Sequence, residues 1–168
     1  MTVSFRLNDG DVSLDVPAER RLLDILRSDL GQGGTPEGCG RGSCGSCYVF
    51  LDGEVVSSCL IPAFRVQGRR VTTIERLREE KLFGDMERAL DDILQKGSCR
   101  QGLLVTLYSL LPQVDRMTRE DFLAALSGNV CHCTGYRRLH DRMRRFAALR
   151  AKRWQSRKSE SMSPLPGI

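Results

Sequence analysis

A chain of 168 residues that is 40% hydrophobic and 28% charged can bury a core, either as one domain or as two small ones that each need a staple such as a metal. Its net charge of +5 would suit a nucleic-acid binder, but Lys and Arg are spread along the chain except in residues 137–158, aromatic interleaving is absent, and no recognition motif is present. The basic end therefore reads as a solvated helix face or a protein-docking surface. No apolar run has the length of a membrane span and the first residues alternate polar with apolar, so the expectation is an uncleaved cytoplasmic protein without nucleic-acid or membrane partners.

Residues 3–7 alternate at period two, meet Asn8-Asp9-Gly10, and resume alternation through Val12, Leu14 and Val16, which predicts a hairpin closed by Pro17. From Glu19, Leu22, Leu23, Ile25, Leu26 and Leu30 take helical spacing, with Gly31 as the stop. A loop follows that holds seven glycines between positions 31 and 45. Residues 49–51, 55–56 and 71–74 then read as short strands, giving a mixed sheet wrapped on one helix. After about Leu77 the spacing is helical: Phe83, Met86, Ala89, Leu90, Ile93 and Leu94 form one stripe, and residues 103–111 form a second helix that Pro112 ends. Thr118 with Glu120 and Asp121 marks the start of a third, and the fourth runs from about Tyr136 to Trp154. The expected fold class is α+β, with a sheet domain over residues 1–76, a four-helix bundle over 77–155, and an extended tail over 156–168.

Seven cysteines cannot all pair as disulfides, and a cytosolic chain keeps its thiols reduced, so metal binding leads. Cys39, Cys44, Cys47 and Cys59 carry the plant-type [2Fe–2S] ligand spacing. The surrounding glycines, Gly38, Gly40, Gly42 and Gly45, can take positive φ and let backbone N–H groups approach the cluster. A structural zinc site is the alternative, although zinc commonly takes two closely spaced pairs that this loop lacks. Cys99, Cys131 and Cys133 fall in the helical half, at or just before predicted helix starts where N–H groups stabilise thiolates. They read either as a second metal site or as three ordinary buried cysteines.

Three stretches carry a family resemblance: residues 37–47 (EGCGRGSCGSC), Ser58-Cys59-Leu60, and residues 126–136 (LSGNVCHCTGY). Over about residues 2–149 the chain resembles the iron–sulfur subunit of the molybdenum hydroxylases, the family of xanthine dehydrogenase, aldehyde oxidoreductase and aerobic carbon monoxide dehydrogenase. The resemblance implies a ferredoxin-like β-grasp domain and a four-helix bundle with one [2Fe–2S] cluster each. It also implies a partner subunit bearing molybdopterin, another bearing FAD, and electrons passing from the first to the second in a hetero-oligomer, with no catalytic residue on this chain. A xanthine or purine dehydrogenase is the expected complex. Gln95 matches the family glutamine that contacts the molybdopterin, and Tyr136 and Arg137 are expected to pack or cap the last helix.

The chain departs from the family in one place. The family reads Gln-Cys-Gly-any-Cys where residues 95–99 read Gln95-Lys96-Gly97-Ser98-Cys99, so Lys96 holds the place of a cluster ligand beside Cys99, Cys131 and Cys133. An ammonium has no lone pair for iron. A non-cysteine fourth ligand (Ser98, water or deprotonated Lys96), a labile or absent cluster, and a different electron path all remain open. His132 is expected to face away from any shared cluster. Two other functions compete: a stand-alone ferredoxin-type carrier, and a docking or structural subunit whose second cluster is lost.

Overall fold

The computed structural model describes residues 1–131 and 134–161, with side chains as far as residue 151. β1 (Thr2–Leu7) and β2 (Gly10–Asp15) form the expected hairpin, with Leu7 opposite Gly10. Asn8 turns it at φ 55°, a left-handed conformation that asparagine tolerates, and its Oδ1 accepts the Thr73 N–H at 2.9 Å. α1 (Leu22–Asp24) widens into a π turn over Ile25–Asp29, and Gly31 leaves it at φ 67°. It starts later than Glu19 because Arg21 is still extended and bridges Pro62.

β3 (Tyr48–Leu51), β4 (Glu54–Ser57) and β5 (Arg70–Thr72) complete a five-stranded sheet ordered β2-β1-β5-β3-β4, in which only β1 and β5 run parallel. Strand alternation sends the two faces of β3 to different cores. Val49 and Leu51 join Val3, Phe5, Val71 and the α1 residues Leu22, Ile25 and Leu26 in one core. Tyr48 and Phe50, together with Val55 of β4, pack instead against the core of the helical half.

Among the described residues five helices follow: α2 (Ile74–Glu79), α3 (Lys81–Leu90), α4 (Cys99–Leu110), α5 (Arg119–Ala125) and α6 (Tyr136–Ser161). α2 was not expected. Ile74, read as the end of a strand, is its first residue: Thr73 is the extended N-cap, and one buried β-branched residue fits either period. Phe83, Met86 and Leu90 of α3 share one core with Leu103, Leu104 and Leu107 of α4, Phe122 of α5, and Leu139 and Met143 of α6. α6 runs past Trp154 to Ser161, so the first residues of the expected tail are helical, since no Gly or Pro interrupts that stretch before Pro164. Among the described residues no helix is long and apolar enough to cross a membrane.

Candidate metal centre

The loop between α1 and β3 carries Cys39, Cys44 and Cys47, and a 3-10 turn after β4 (Ser58–Leu60) carries Cys59. Cys47 and Cys59 are buried with Leu23 beneath the loop, whereas Cys39 and Cys44 are half-buried at its surface. Cys47 and Cys59 share one buried cluster, and Cys39 adjoins Cys44 through its backbone N–H. Among the described residues no set of three or more His, Cys, Asp or Glu is drawn together as it would be around a single ion.

Backbone donors point at the sulfurs. The Cys39 N–H reaches Cys44 Sγ at 3.3 Å, and the Ser43 N–H reaches Cys39 Sγ at 3.2 Å. Gly40, Gly42 and Gly45 take the positive φ expected of them; Gly38 does not, and is required for a different reason. A Cβ on Gly38 would lie 2.7 Å from Cys44 Sγ. The two kinds of cysteine differ electrostatically. The Ser43 hydroxyl, followed by the Arg41 N–H, draws the Cys39 thiol down to about 6. Burial, followed by the hydrogen bond with Cys47, pushes Cys59 up to about 11, with the Gly42 N–H pulling the other way.

The helical half closes directly onto this loop. The Val130 N–H donates to the Cys44 carbonyl at 2.9 Å, the Tyr48 hydroxyl to the Gly128 carbonyl at 3.2 Å, and Asn129 Nδ2 to the Gly45 carbonyl at 3.5 Å. A single main-chain hydrogen bond therefore joins Cys44 to the residue before Cys131. Cys131 and Cys99, the first residue of α4, meet with their sulfurs 3.3 Å apart. Tyr136 does more than open α6: its hydroxyl accepts the Cys131 N–H at 2.9 Å and donates to the Asn129 carbonyl. Cys133 and His132 lie outside the described residues. Gln95, Lys96 and Ser98 are exposed on the connection between α3 and α4. Arg100, which no motif singled out, is buried just behind them. It donates to the Leu94 carbonyl and, at 2.8 Å, to Asp91, with Glu87 at 3.5 Å.

Residues 5–73 match the model of a 2Fe-2S iron-sulfur cluster binding domain, and residues 73–144 match that of a [2Fe-2S] binding domain. The chain is 32% identical over 146 residues to the nicotinate dehydrogenase small FeS subunit of Eubacterium barkeri, covering 86% of this chain and 93% of that one. It is 39% identical over 140 residues to the 6-hydroxypseudooxynicotine dehydrogenase complex subunit beta of Paenarthrobacter nicotinovorans, covering 82% and 88%. A chain of quinoline 2-oxidoreductase from Pseudomonas putida 86 superposes with a TM-score of 0.78 at 33% identity, covering 91% of this chain and 96% of that one. This chain belongs to the iron–sulfur subunit family of the molybdenum hydroxylases. As a member of that family it is an electron-transfer subunit of a multi-subunit oxidoreductase, and its two halves correspond to the family's two [2Fe–2S]-binding domains.

The two sites differ in how well their donors suit that cofactor. A two-iron rhomb takes two thiolates at each iron and is tuned by hydrogen bonds to sulfur, which suits the buried Cys47 and Cys59, the half-buried Cys39 and Cys44, and the amides turned onto the latter two. At the helical site the donor set does not fit four thiolates, because Lys96 stands where the family has its remaining cysteine.

Proposed function

We propose that this chain is the electron-transfer subunit of a cytoplasmic molybdenum hydroxylase complex that acts on a nitrogen-containing aromatic ring, purines being the member of that class expected from the sequence. The observation that carries the reading is the buried Cys47 and Cys59 beneath the loop together with the backbone N–H groups turned onto Cys39 and Cys44. Cys39, Cys44, Cys47 and Cys59 hold the [2Fe–2S] cluster, which when bound takes up and releases one electron at a time. The chain's own residues do the rest. Cys47 and Cys59, under the loop, exclude water, and the Cys39 and Ser43 amides offset negative charge on the sulfurs. Leu60 and Phe64, one and five positions after Cys59, are exposed at 59% and 52% and form the apolar contact for the FAD-bearing partner. Gln95, exposed ahead of α4, faces the molybdopterin-bearing partner. Residues 1–76 are the ferredoxin-like unit, and α3 to α6 are the four-helix bundle that meets the molybdopterin partner. The substrate class is supported by relatives named for nicotinate, 6-hydroxypseudooxynicotine and quinoline.

The test is anaerobic purification from the source cells through a tag on this chain, with molybdenum and flavin assayed in the product. Nicotinate, quinoline and xanthine are then added in turn without an external acceptor. Molybdenum in stoichiometric amount and substrate-dependent bleaching of the iron–sulfur absorbance are expected. A chain recovered alone, with its cluster intact and no molybdenum, would make it a free carrier. Molybdenum with no bleaching by any ring substrate would leave a docking subunit, the reading that Lys96 favours.

A further inference from the structure

The helical half lacks the four thiolates that a [2Fe–2S] cluster takes, since Lys96 stands where one of them would be. It nevertheless brings two thiols into contact. Cys99 and Cys131, 32 positions apart, meet with their sulfurs at 3.3 Å, and both are half-buried. Protein contacts hold each in place. Cys99 begins α4, whose start is fixed by the buried Arg100 guanidinium on the Leu94 carbonyl and on Asp91, and the Cys131 N–H is fixed on the Tyr136 hydroxyl at 2.9 Å. Two thiols so placed are set up for a two-electron reaction with each other, which asks for no further ligand. The elements that such a bond joins also rest on one stretch of the cysteine loop. Gly102 of α4 meets the Gly45 carbonyl too closely for any side chain, while Asn129 Nδ2 and the Val130 N–H donate to the Gly45 and Cys44 carbonyls at 3.5 Å and 2.9 Å.

We propose that Cys99 and Cys131 form a reversible disulfide, a redox-operated clasp that fastens the two covers of the cysteine loop to each other. The oxidant is a low-molecular-weight disulfide. Its point of entry is Cys131, which a surface groove of about 270 Å³, walled by Leu123, Leu126, Val130 and Tyr136, reaches from solvent. Cys131 takes one sulfur of the incoming disulfide and releases the other half as a thiol; Cys99 then displaces the half that stayed. In all, the two protein thiols give up two protons and two electrons, and the incoming S–S bond accepts both as it breaks into two thiols. An excess of small thiol runs the same steps backwards, so the clasp follows the redox state of its compartment. That the clasped loop holds a cluster rests on the electron-transfer reading above; the disulfide itself does not.

The experiment loads the full-length chain anaerobically with iron and sulfide and equilibrates it with oxidised or with reduced glutathione. Remaining thiols are blocked with N-ethylmaleimide and the cross-linked peptides are sequenced by mass spectrometry, while iron loss to a chelator and the far-UV helix melt are followed on the same samples. Oxidised glutathione should produce a Cys99–Cys131 cross-link that reduced glutathione removes, raise the helix midpoint by about 10 °C, and slow iron loss several-fold. Cys99→Ser and Cys131→Ser should load about two irons, as the native chain does, and show none of these changes. No cross-link, a lasting mixed disulfide with glutathione, or Cys99 joined to Cys133 would overturn the inference, and so would a cross-link that leaves the midpoint and the iron loss where they were. About four irons in the reduced native chain would overturn it in favour of a second cluster. A cross-link that raises the midpoint of a chain that takes up no iron would uphold the disulfide and sink the electron-transfer reading instead.

Discussion

At the scale of single residues, two glycines 57 positions apart in the sequence, Gly45 and Gly102, let α4 sit close against the cysteine loop. A Cβ on Gly102 would lie 1.8 Å from the Gly45 carbonyl oxygen and 2.8 Å from that of Ser46, and both obstacles are backbone. Gly102→Ala must therefore push α4 away from the cysteine loop, a loss of about 1–3 kcal/mol by the usual cost of overpacking. Gly84→Ala is the control, since its Cβ would meet only the flexible end of Arg88 at 3.5 Å, and a helix-interior alanine is favourable by about 1 kcal/mol. Urea midpoints of the two variants should move in opposite directions; equal midpoints would mean that the junction yields freely. That Cys39, Cys44 and Cys47 share one glycine-rich loop was legible because their spacing is local. Gly102, Tyr48, Asn129 and Arg100 were not, because each acts on a partner fixed only once the chain has folded. Arg100 in particular reads as one more surface charge until Leu94 and Asp91 are seen around it.

At the scale of elements, α4 is bolted to the corner between α2 and α3 by one phenol. The Tyr108 hydroxyl donates to Glu80, and its ring meets Phe83 edge-on at 5.3 Å. Burial first, and the carboxylate second, raise its ionisation to about 12, above the ordinary tyrosine value near 10. A raised value in the folded state means stability that is complete below the unfolded value and lost as pH climbs through the folded one. The native chain should thus lose stability between about pH 10 and about pH 12 more steeply than Tyr108→Phe, whose deficit at pH 8 shrinks as pH rises. Tyr48 and Tyr136 are present in both proteins and cancel in the comparison. Parallel stability curves from pH 8 to 12 would show that the bond carries nothing. Helix starts with local chemistry could be read in advance: Thr118 and Asp121 form the capping box that opens α5, with the Asp121 N–H on Thr118 Oγ1 at 3.1 Å. α2 could not, because only the sheet edge decides whether Ile74 ends a strand or begins a helix.

At the scale of the whole molecule, β3 belongs to two cores at once, and the loop that precedes it is both the proposed metal site and the seat of the helical half. Val49 and Leu51 face one core, Tyr48 and Phe50 the other, and the Cys44 carbonyl and Gly45 receive the 128–130 segment. Two units that meet only through a linker would melt separately, whereas units sharing a strand and a ligand loop should not. Metal binding that orders this loop is also folding free energy for whatever rests on it. Loss of the first cluster should therefore destabilise helices that contain none of its ligands. On heating the anaerobic holoprotein, visible absorbance from the cluster and far-UV helix signal should disappear together. After iron removal by a chelator, the helix signal should melt at least about 10 °C lower, a few kcal/mol at about 2–4 °C per kcal/mol for a chain of this size. Lys96→Cys heated alongside separates the two sites, because a second four-thiolate cluster would add stability that the loop cluster does not supply. A helix transition indifferent to iron would mean that the Cys44–Val130 contact and the Tyr48–Phe50 face are too weak to couple the halves, and that each folds on its own core.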